Sequence, residues 1–234
     1  TSDYLGRGIR LAEKKGAAFV VIQMDTPGGL DKSTRSIIKQ ILASSIPVVS
    51  YVAPSGARAA SAGTFILYAS HIAAMAPGTN LGAATPVSIS GAFDGKKKED
   101  KKDKAKTAME NKVINDALAY IRSLAQLRGR NVEFAEQAVL KAATMTAKEA
   151  KEKKVIDFVA NDLTDLLKQL NGYQLVVNGS ELTLNTENIN IQVVQSDWRN
   201  RLLQVITDPS VAYILLLIGI YGLFFEFANP GFVL

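Results

Sequence analysis

Two nearly continuous apolar runs constrain the fold more than any other feature of this sequence. The first covers residues 17–24 and the second residues 46–52. Strands of a parallel sheet that is covered on both faces have this uniformly apolar character. Each run is followed by a turn containing Pro and Gly, and then by a predicted helix, at 31–43 and from residue 64 onward. The alternation of strand and helix predicts an α/β domain with a mainly parallel sheet.

Periodicity and capping signals predict the other elements of this domain. A first helix ends before Gly16, and Thr146 with Glu149 has the spacing of a capping box that starts a later helix. The remaining predictions are a strand at 72–75, a loop at 76–87, helices at 108–128 and 132–141, a strand at 155–159 and a helix at 163–170. Together these elements make residues 1–171 a single predicted domain.

After Gly172 the sequence changes from helix-forming segments to short apolar runs separated by turn residues. The dipeptide Asn178-Gly179 between two short apolar runs predicts a β-hairpin, and residues 189–194 are predicted to add a third strand. Residues 172–197 are therefore predicted to form a small β extension.

Residues 198–234 have the character of a membrane segment. Residues 198–206 form a predicted amphipathic helix with Trp198 and two arginines, which suits a membrane interface. Residues 211–225 carry no charge and would extend about 22 Å as a helix, against about 30 Å for the hydrocarbon core. Together with Pro209, Ser210 and the residues after Glu226, this segment could span the membrane. The carboxylate of Glu226 at its end indicates one member of a multi-helix bundle. The alternative is a buried helix of a soluble protein.

Composition excludes several kinds of site. The chain contains no cysteine and one histidine, His71, so thiolate chemistry and a histidine-rich metal site are excluded, and we expect no metal and no cofactor. A Ser-His-Asp triad would depend on His71, which lies between a predicted helix and a predicted strand and is interpreted as structural.

The net charge of +5 is concentrated in one segment. Residues 96–106 hold seven lysines and three acidic residues, and the rest of the chain is close to neutral. This distribution argues against a nucleic-acid-binding surface. The lysine-rich segment is interpreted as a solvated loop, with a lid as the alternative.

Ser61 lies where the second predicted strand has turned and the next helix begins. Small residues surround it, and the N–H groups of a first helical turn point at any negative charge in front of them. A serine at this place could be a nucleophile with anion stabilisation built in. Serine is also a favoured N-cap, and the spacing alone favours the cap.

Several motifs in family order give the chain a specific resemblance. It resembles the Clp protease and signal peptide peptidase A clan, and more closely the long form of the NfeD family, membrane-bound serine proteases associated with stomatin-like proteins. The motifs are Asp25-Thr26-Pro27-Gly28-Gly29, Gly56-Ala57-Arg58-Ala59-Ala60-Ser61-Ala62-Gly63-Thr64, residues 74–79, residues 119–125 and residues 208–213. The resemblance implies a Clp protease/crotonase-like fold with a repeated ββα core over residues 1–171, followed by the β extension and a transmembrane helix.

The resemblance also implies a catalytic site. It assigns Ser61 as nucleophile and Lys112 as general base, with Lys104 and Lys106 as nearby competitors for the second role. The backbone N–H groups of Gly29 and Ala62 would form the oxyanion hole, and the turn containing Gly28 and Gly29 would bind the substrate as an added strand. A lysine can act as a base only when its amine is uncharged, so Lys112 is expected to be partly buried.

The function that the resemblance implies is ATP-independent serine endopeptidase activity at a membrane. The expected substrate is a hydrophobic peptide segment, in particular the apolar C-terminal part of a stomatin-like partner. The family also implies a multi-pass membrane protein, a protease domain outside the cytoplasm and a homo-oligomer, a dimer or larger. The two arginines beside the span would argue for the opposite orientation, although that rule is weak beside a large domain.

Two alternatives to a protease stay open at this point. The first is a crotonase-like enzyme acting on acyl-CoA, and the second is a non-catalytic membrane organiser that binds a stomatin-like partner. In addition, the sheet is expected to lack a first strand before residue 1, and Lys153-Lys154 stands where relatives tend to have glycine, which we expect to alter a helix end and not the site.

Overall fold

A computed structural model describes residues 2–86, 108–195, 206 and 209–228. The elements in chain order are α1 (Ser2–Lys14), β1 (Val20–Met24), α2 (Asp31–Leu42), β2 (Val48–Val52), β3 (Arg58–Ala60), α3 (Ala62–Ala69), β4 (Ile72–Met75), β5 (Asn80–Gly82), α4 (Ala108–Leu127), α5 (Val132–Leu140), β6 (Thr144–Thr146), α6 (Ala147–Glu152), β7 (Phe158–Val159), α7 (Leu163–Leu170), β8 (Gln174–Val177), β9 (Ser180–Thr183) and α8 (Pro209–Ala228). Residues 2–190 form one compact unit, and residues 191–234 belong to a second.

The main sheet has four parallel strands in the order β1-β2-β4-β7. All five residues of β2 are buried. Val48 and Val52 pack into the core beneath helices α1 to α5, whereas Val49 and Tyr51 pack into a second core with α7 and the hairpin. Because helices or the hairpin cover both faces, the strand has no side that could be polar. The predicted parallel α/β domain is confirmed.

A second, three-stranded sheet delivers the chain to Ser61. β3 pairs in parallel with β5, and β5 pairs antiparallel with β6. An isolated bridge joins Thr26 to Ala59, so this sheet starts at the carboxyl end of β1. The region predicted as a loop at 76–87 therefore contains a strand, β5. A strand of three residues is too short to show an apolar alternation, so no periodic pattern marks β5 in the sequence.

The predicted strand at 155–159 is largely wrong, because only Phe158 and Val159 are in β7. The two apolar residues before it follow α6 in an irregular segment, where the Val155 N–H donates to Ala150 O at 2.8 Å and both Val155 and Ile156 are buried. Their hydrophobicity thus serves packing without strand pairing. The capping box of Thr146 and Glu149 is confirmed.

The hairpin on Asn178 and Gly179 is confirmed as β8 and β9, with Leu175 opposite Leu182. It belongs to the first unit, and the buried Leu184 at its end packs in the core of α7. The predicted third strand at 189–194 is wrong, since these residues have no strand in the described structure.

The second unit contains α8, whose residues 211–228 are long and apolar enough to cross a membrane. This window is not buried in the structure, so the alternative of a soluble core helix gains no support. Apart from Ile206, the predicted interfacial helix at 198–206 lies outside the described residues, as does the lysine-rich segment at 96–106.

Two arginines after α4 fix the carboxyl end of α3. The Arg130 guanidinium is buried and donates to the carbonyls of Leu67, Tyr68 and Ser70 at 2.9–3.2 Å, and it pairs with Asp157 at 2.7 Å. Arg128 Nε donates to Ala69 O at 2.9 Å. Cations at the carboxyl end of a helix satisfy its unpaired carbonyls and its dipole. This arrangement holds α3 in place, and with it the serine at its amino end.

Candidate active site

Ser61 is held in an unfavourable backbone conformation. It immediately precedes α3 with φ 52° and ψ −112°, and its hydroxyl does not cap the helix. A positive φ is costly for a residue with a Cβ, and such strain concentrates at functional sites. The N-cap interpretation of Ser61 is therefore wrong. The hydroxyl makes no hydrogen bond to another described residue and is partly exposed.

Hydrogen bonds from the neighbouring sheet hold this strained turn. The Ser61 N–H donates to Gly82 O at 2.9 Å. The fully buried Thr64 lies one turn into α3, and its Oγ1 is 2.8 Å from Ala59 O and accepts the Gly82 N–H at 3.0 Å. The serine is thus tied to β5 and the following helix to β3. Sequence reasoning missed the role of Thr64, for which the only signal was a hydroxyl in a run of small residues.

The two glycine-rich turns meet at the serine. A Cβ on Gly28 would lie 3.0 Å from Ser61 Cβ, and one on Gly29 would lie 3.6 Å from Ala62 Cβ. Thr26 Oγ1 accepts the Gly28 N–H at 3.1 Å and fixes the first turn. Among the described residues, the N–H groups of Gly29 and Ala62 find no hydrogen-bond acceptor. Two unpaired donors beside a serine are what an oxyanion hole requires.

Gly28 should be the more sensitive of the two glycines. Its φ is 140°, and an added Cβ would press on Ser61, so Gly28→Ala is expected to destabilise the fold by about 1–3 kcal/mol and to lower kcat/KM about 100-fold. Gly29→Ala is the matched control, because its Cβ would make an ordinary contact. Denaturation and peptide-cleavage kinetics on both variants test this. Equal behaviour of the two variants would contradict the proposed closeness of the Gly28 backbone to the serine.

Lys112 lies near the amino end of α4 and is exposed. The expected partial burial is wrong for this structure, because residues 111–113 are all exposed, and Ile114 is the earliest residue of α4 with a described side chain that packs against the core. No hydrogen bond joins Lys112 to Ser61, although both residues are described. Lys104 and Lys106 lie outside the described residues.

The packing of α3 against α4 nevertheless places Lys112 at the serine end of the pair. The rings of Phe65 and Tyr120 stack with their centroids 6.1 Å apart. Beyond them, Arg128, the residue after α4, donates to the carbonyl of Ala69, the last residue of α3. The helices therefore run in the same direction. Ser61 lies one turn before Phe65 and Lys112 about two turns before Tyr120, so the lysine is about one turn, roughly 5 Å, beyond the serine along the axis. The flexible stem of a lysine can cover an axial offset of this size.

His71 belongs to the opposite end of α3. Eight helical residues, about 12 Å, separate the two ends of this helix. The His71 Nδ1 accepts the Val48 N–H at 3.2 Å. Burial, together with smaller contributions from the charges of Arg128 and Arg130, lowers the pKa of His71 to about 4. The histidine is structural, as predicted, and a triad with Ser61 does not form.

The neutral state of His71 predicts a pH dependence of stability. Its folded pKa of about 4 lies below the ordinary value of 6.5, so the unfolded chain takes up the proton first as the pH falls. The contribution of the neutral histidine is complete above about pH 6.5 and is lost as the pH falls toward 4. Urea denaturation of wild type and His71→Gln at pH 7.5, 5.5 and 4.5 should show a smaller loss in the variant. A variant with the wild-type slope would contradict this assignment.

Two cavities of the described structure are lined by residues that do not include Ser61, Gly28 or Gly29. One of about 320 Å³ is lined by Arg130, Lys151 and Tyr173, among others, and one of about 440 Å³ by residues that include Gly78 and Lys148. No cluster of three metal-ligating side chains occurs among the residues that the structure describes.

Comparisons with known proteins show what the chain is similar to. A family model described as NfeD1b, N-terminal domain, matches residues 1–192. The chain is 41% identical over 233 residues to the membrane-bound protease PH1510 of Pyrococcus horikoshii, covering 99% of this chain and 51% of that protein. It is 29% identical over 244 residues to the membrane protein NfeD1b of Bacillus subtilis, covering 98% of this chain and 48% of that protein. The chain thus spans about half the length of these relatives.

Solved structures of 1510-N, a membrane-bound stomatin-specific protease, are similar in fold. A lysine-to-alanine mutant in complex with a substrate peptide superposes with a TM-score of 0.77 at 38% identity, over 88% of this chain and 91% of that one. A serine-to-alanine mutant superposes with a TM-score of 0.73 at 39% identity, over 84% and 91%. These matches confirm the predicted Clp protease-like α/β class.

Proposed function

Because the chain belongs to the NfeD1b N-terminal domain family, we propose that it is the catalytic part of a membrane-bound, ATP-independent serine endopeptidase. The observation that carries the proposal is the strained, uncapped Ser61 facing the turn of Gly28 and Gly29, with two unpaired N–H donors beside it. The similarity to a stomatin-specific protease, of which serine and lysine mutants have been made, supports the same activity.

In the proposed mechanism, one proton passes from Ser61 to Lys112 and then to the leaving amine. The Lys112 amine takes the hydroxyl proton as Ser61 Oγ attacks the scissile carbonyl carbon, and the N–H groups of Gly29 and Ala62 stabilise the resulting oxyanion. The ammonium then gives its proton to the leaving amine as the peptide bond breaks. Water hydrolyses the acyl-enzyme in the same way, with Lys112 again as the base.

Lys112 must lose contact with water for this mechanism to operate. Only the neutral amine can accept a proton, and a bound peptide or a second copy of the chain would supply the missing cover. Desolvation disfavours the ammonium and leaves the neutral base. The proposal therefore includes a homo-oligomer, and it makes the resting enzyme less reactive than the peptide-bound form.

The expected substrates are hydrophobic peptide segments. The peptide would lie along the Gly28–Gly29 turn as an added strand, beside Leu30, whose side chain is 62% exposed. A structural relative is specific for a stomatin homologue, so we propose the apolar C-terminal part of a stomatin-like protein as the substrate. The helix α8 would tether the domain within a multi-pass membrane protein, with the protease domain outside the cytoplasm.

Cleavage of a defined peptide tests the proposal. The chain in detergent, without ATP, should cleave a peptide from the apolar C-terminus of a stomatin-like protein and leave a charged peptide of equal length intact. A crotonase-like enzyme would instead turn over an enoyl-CoA, and a membrane organiser would bind the apolar peptide without cutting it. Either of these two results would contradict the proposed function.

A further inference from the structure

We propose that Arg35 is a positioning residue for this site, a role that rests on the proposed function. Its guanidinium joins the helix that follows the oxyanion turn to the helix that carries Lys112. It also forms an ion pair with Asp116, whose carboxylate lies four residues after that lysine on the same helix. Arg35 thereby sets both the place of the Lys112 amine and the pH at which the amine becomes a base.

Arg35 has three partners on two helices. Within α2 its Nε lies 3.0 and 3.1 Å from the two carboxylate oxygens of Asp31. Across to α4, its Nη2 forms an ion pair with Asp116, and its guanidinium lies over the ring of Tyr120 at 4.5 Å. Tyr120 in turn stacks on Phe65 of α3. A planar fork that pairs with carboxylates and stacks on a ring is a task for arginine and not for lysine.

The network therefore touches all three elements of the proposed site. Asp31 is the first residue of α2 and is separated from the Gly28–Gly29 turn only by Leu30, and Phe65 lies one turn after Ser61. On α4, Asp116 and Tyr120 are four and eight residues after Lys112, so all three lie toward one edge of the helix. That edge faces α2 and α3, because Arg35 and Phe65 contact it.

Charge is the second part of the inference. Lys112 and Asp116 are neighbours at i and i+4, and a free carboxylate there would stabilise the ammonium. The Arg35 cation pairs with that carboxylate instead. The other ionisable groups around this edge are Asp31, which Arg35 also neutralises, and Lys32 on α2; on α4 they are Tyr120 and Glu110, whose side chain lies outside the described residues. Helix α3 contributes only Tyr68, near its far end.

Four variants separate the two roles, measured as pH profiles of kcat for the apolar peptide. Arg35→Gln should lower kcat about 10- to 100-fold. It should also shift the rising part of the pH profile of kcat, the rising limb, to higher pH by about 0.3 to 1 pH unit. Arg35→Lys should lower kcat with the limb unmoved, because it keeps the charge and loses the fork. Arg35→Gln with Asp116→Asn should return the limb to its wild-type place while kcat stays low. Asp116→Asn alone should shift the rising limb slightly to lower pH.

Several outcomes would overturn the inference. Wild-type kcat in Arg35→Gln would exclude positioning, and a limb that does not respond to Asp116 would exclude the electrostatic role. Asp116 is 66% exposed, so its variant is expected to fold and keeps the test decisive even if an Arg35 variant unfolds. Covalent labelling of Ser61 by a fluorophosphonate separates failure of the proposed function from failure of the Arg35 inference. Wild type that is neither labelled nor able to cleave the peptide refutes the proposed function. If wild type is labelled and cleaves the peptide, the variants test the role of Arg35 alone.

Discussion

Ser61→Ala is expected to abolish peptide cleavage, with a loss of at least about 1,000-fold in kcat. Alanine keeps the Cβ and removes only the oxygen that attacks the substrate. The Ser61 hydroxyl makes no hydrogen bond to another described residue, so its removal leaves no partner unsatisfied. The free energy of unfolding should therefore change by less than about 0.5 kcal/mol. Cleavage kinetics and urea denaturation, measured on the same preparation, check both parts.

Ser61→Gly is the matched control for the backbone strain. Glycine adopts a positive φ without the steric cost that serine bears at φ 52°. This variant should be as inactive as Ser61→Ala but more stable by about 1 kcal/mol. A variant that is inactive and more stable than wild type would indicate that the strain exists for function. Activity retained by either substitution would rule out Ser61 as the nucleophile.

Lys112→Ala is the second change with a large expected effect. It should lower kcat at least about 1,000-fold with little change in KM, since the lysine handles a proton and is not proposed to grip the peptide. Lys112 is exposed, so stability should stay within about 0.5 kcal/mol of wild type. Stopped-time cleavage assays across a range of peptide concentrations separate kcat from KM.

Two controls sharpen the Lys112 prediction. Lys112→Arg keeps the positive charge but cannot release a proton at ordinary pH, so it should be as inactive as Lys112→Ala. Lys168→Ala removes an exposed lysine of α7 and should leave cleavage unchanged. An active arginine variant would mean that this position contributes charge alone, and the base would have to be sought elsewhere.

The sequence predicted the frame of the site better than its details. The two apolar runs predicted the parallel strands that precede the two glycine-rich turns, and the resemblance to the NfeD family implied that the Gly28–Gly29 turn and Ser61 belong to one site. The backbone conformation of Ser61 could not be foretold. It depends on Gly82 and on β3 and β5, strands of three residues whose pairing partners are distant in the chain.

Exposure and strand length depended on tertiary contacts that no local pattern carries. The helical spacing that predicts the helix at 108–128 does not show where neighbouring helices cease to cover it: Ala117, Ile121 and Leu124 are buried, whereas Val113 and Leu127 are exposed. Likewise, the predicted strand at 155–159 pairs with β4 as a ladder only at Phe158 and Val159. At Asp157 the backbone N–H donates to Ala73 O, but the Ala73 N–H donates to the Asp157 carboxylate, which also accepts from Arg130.

Mass spectrometry of the fluorophosphonate-treated protein tests the central claim most directly. A single adduct on Ser61 is predicted in wild type, and it should be lost in Ser61→Ala, be strongly slowed in Lys112→Ala and be suppressed by prior addition of the apolar peptide. An unlabelled Ser61 in protein that cleaves the peptide, or an adduct on another residue that tracks with cleavage, would contradict the account.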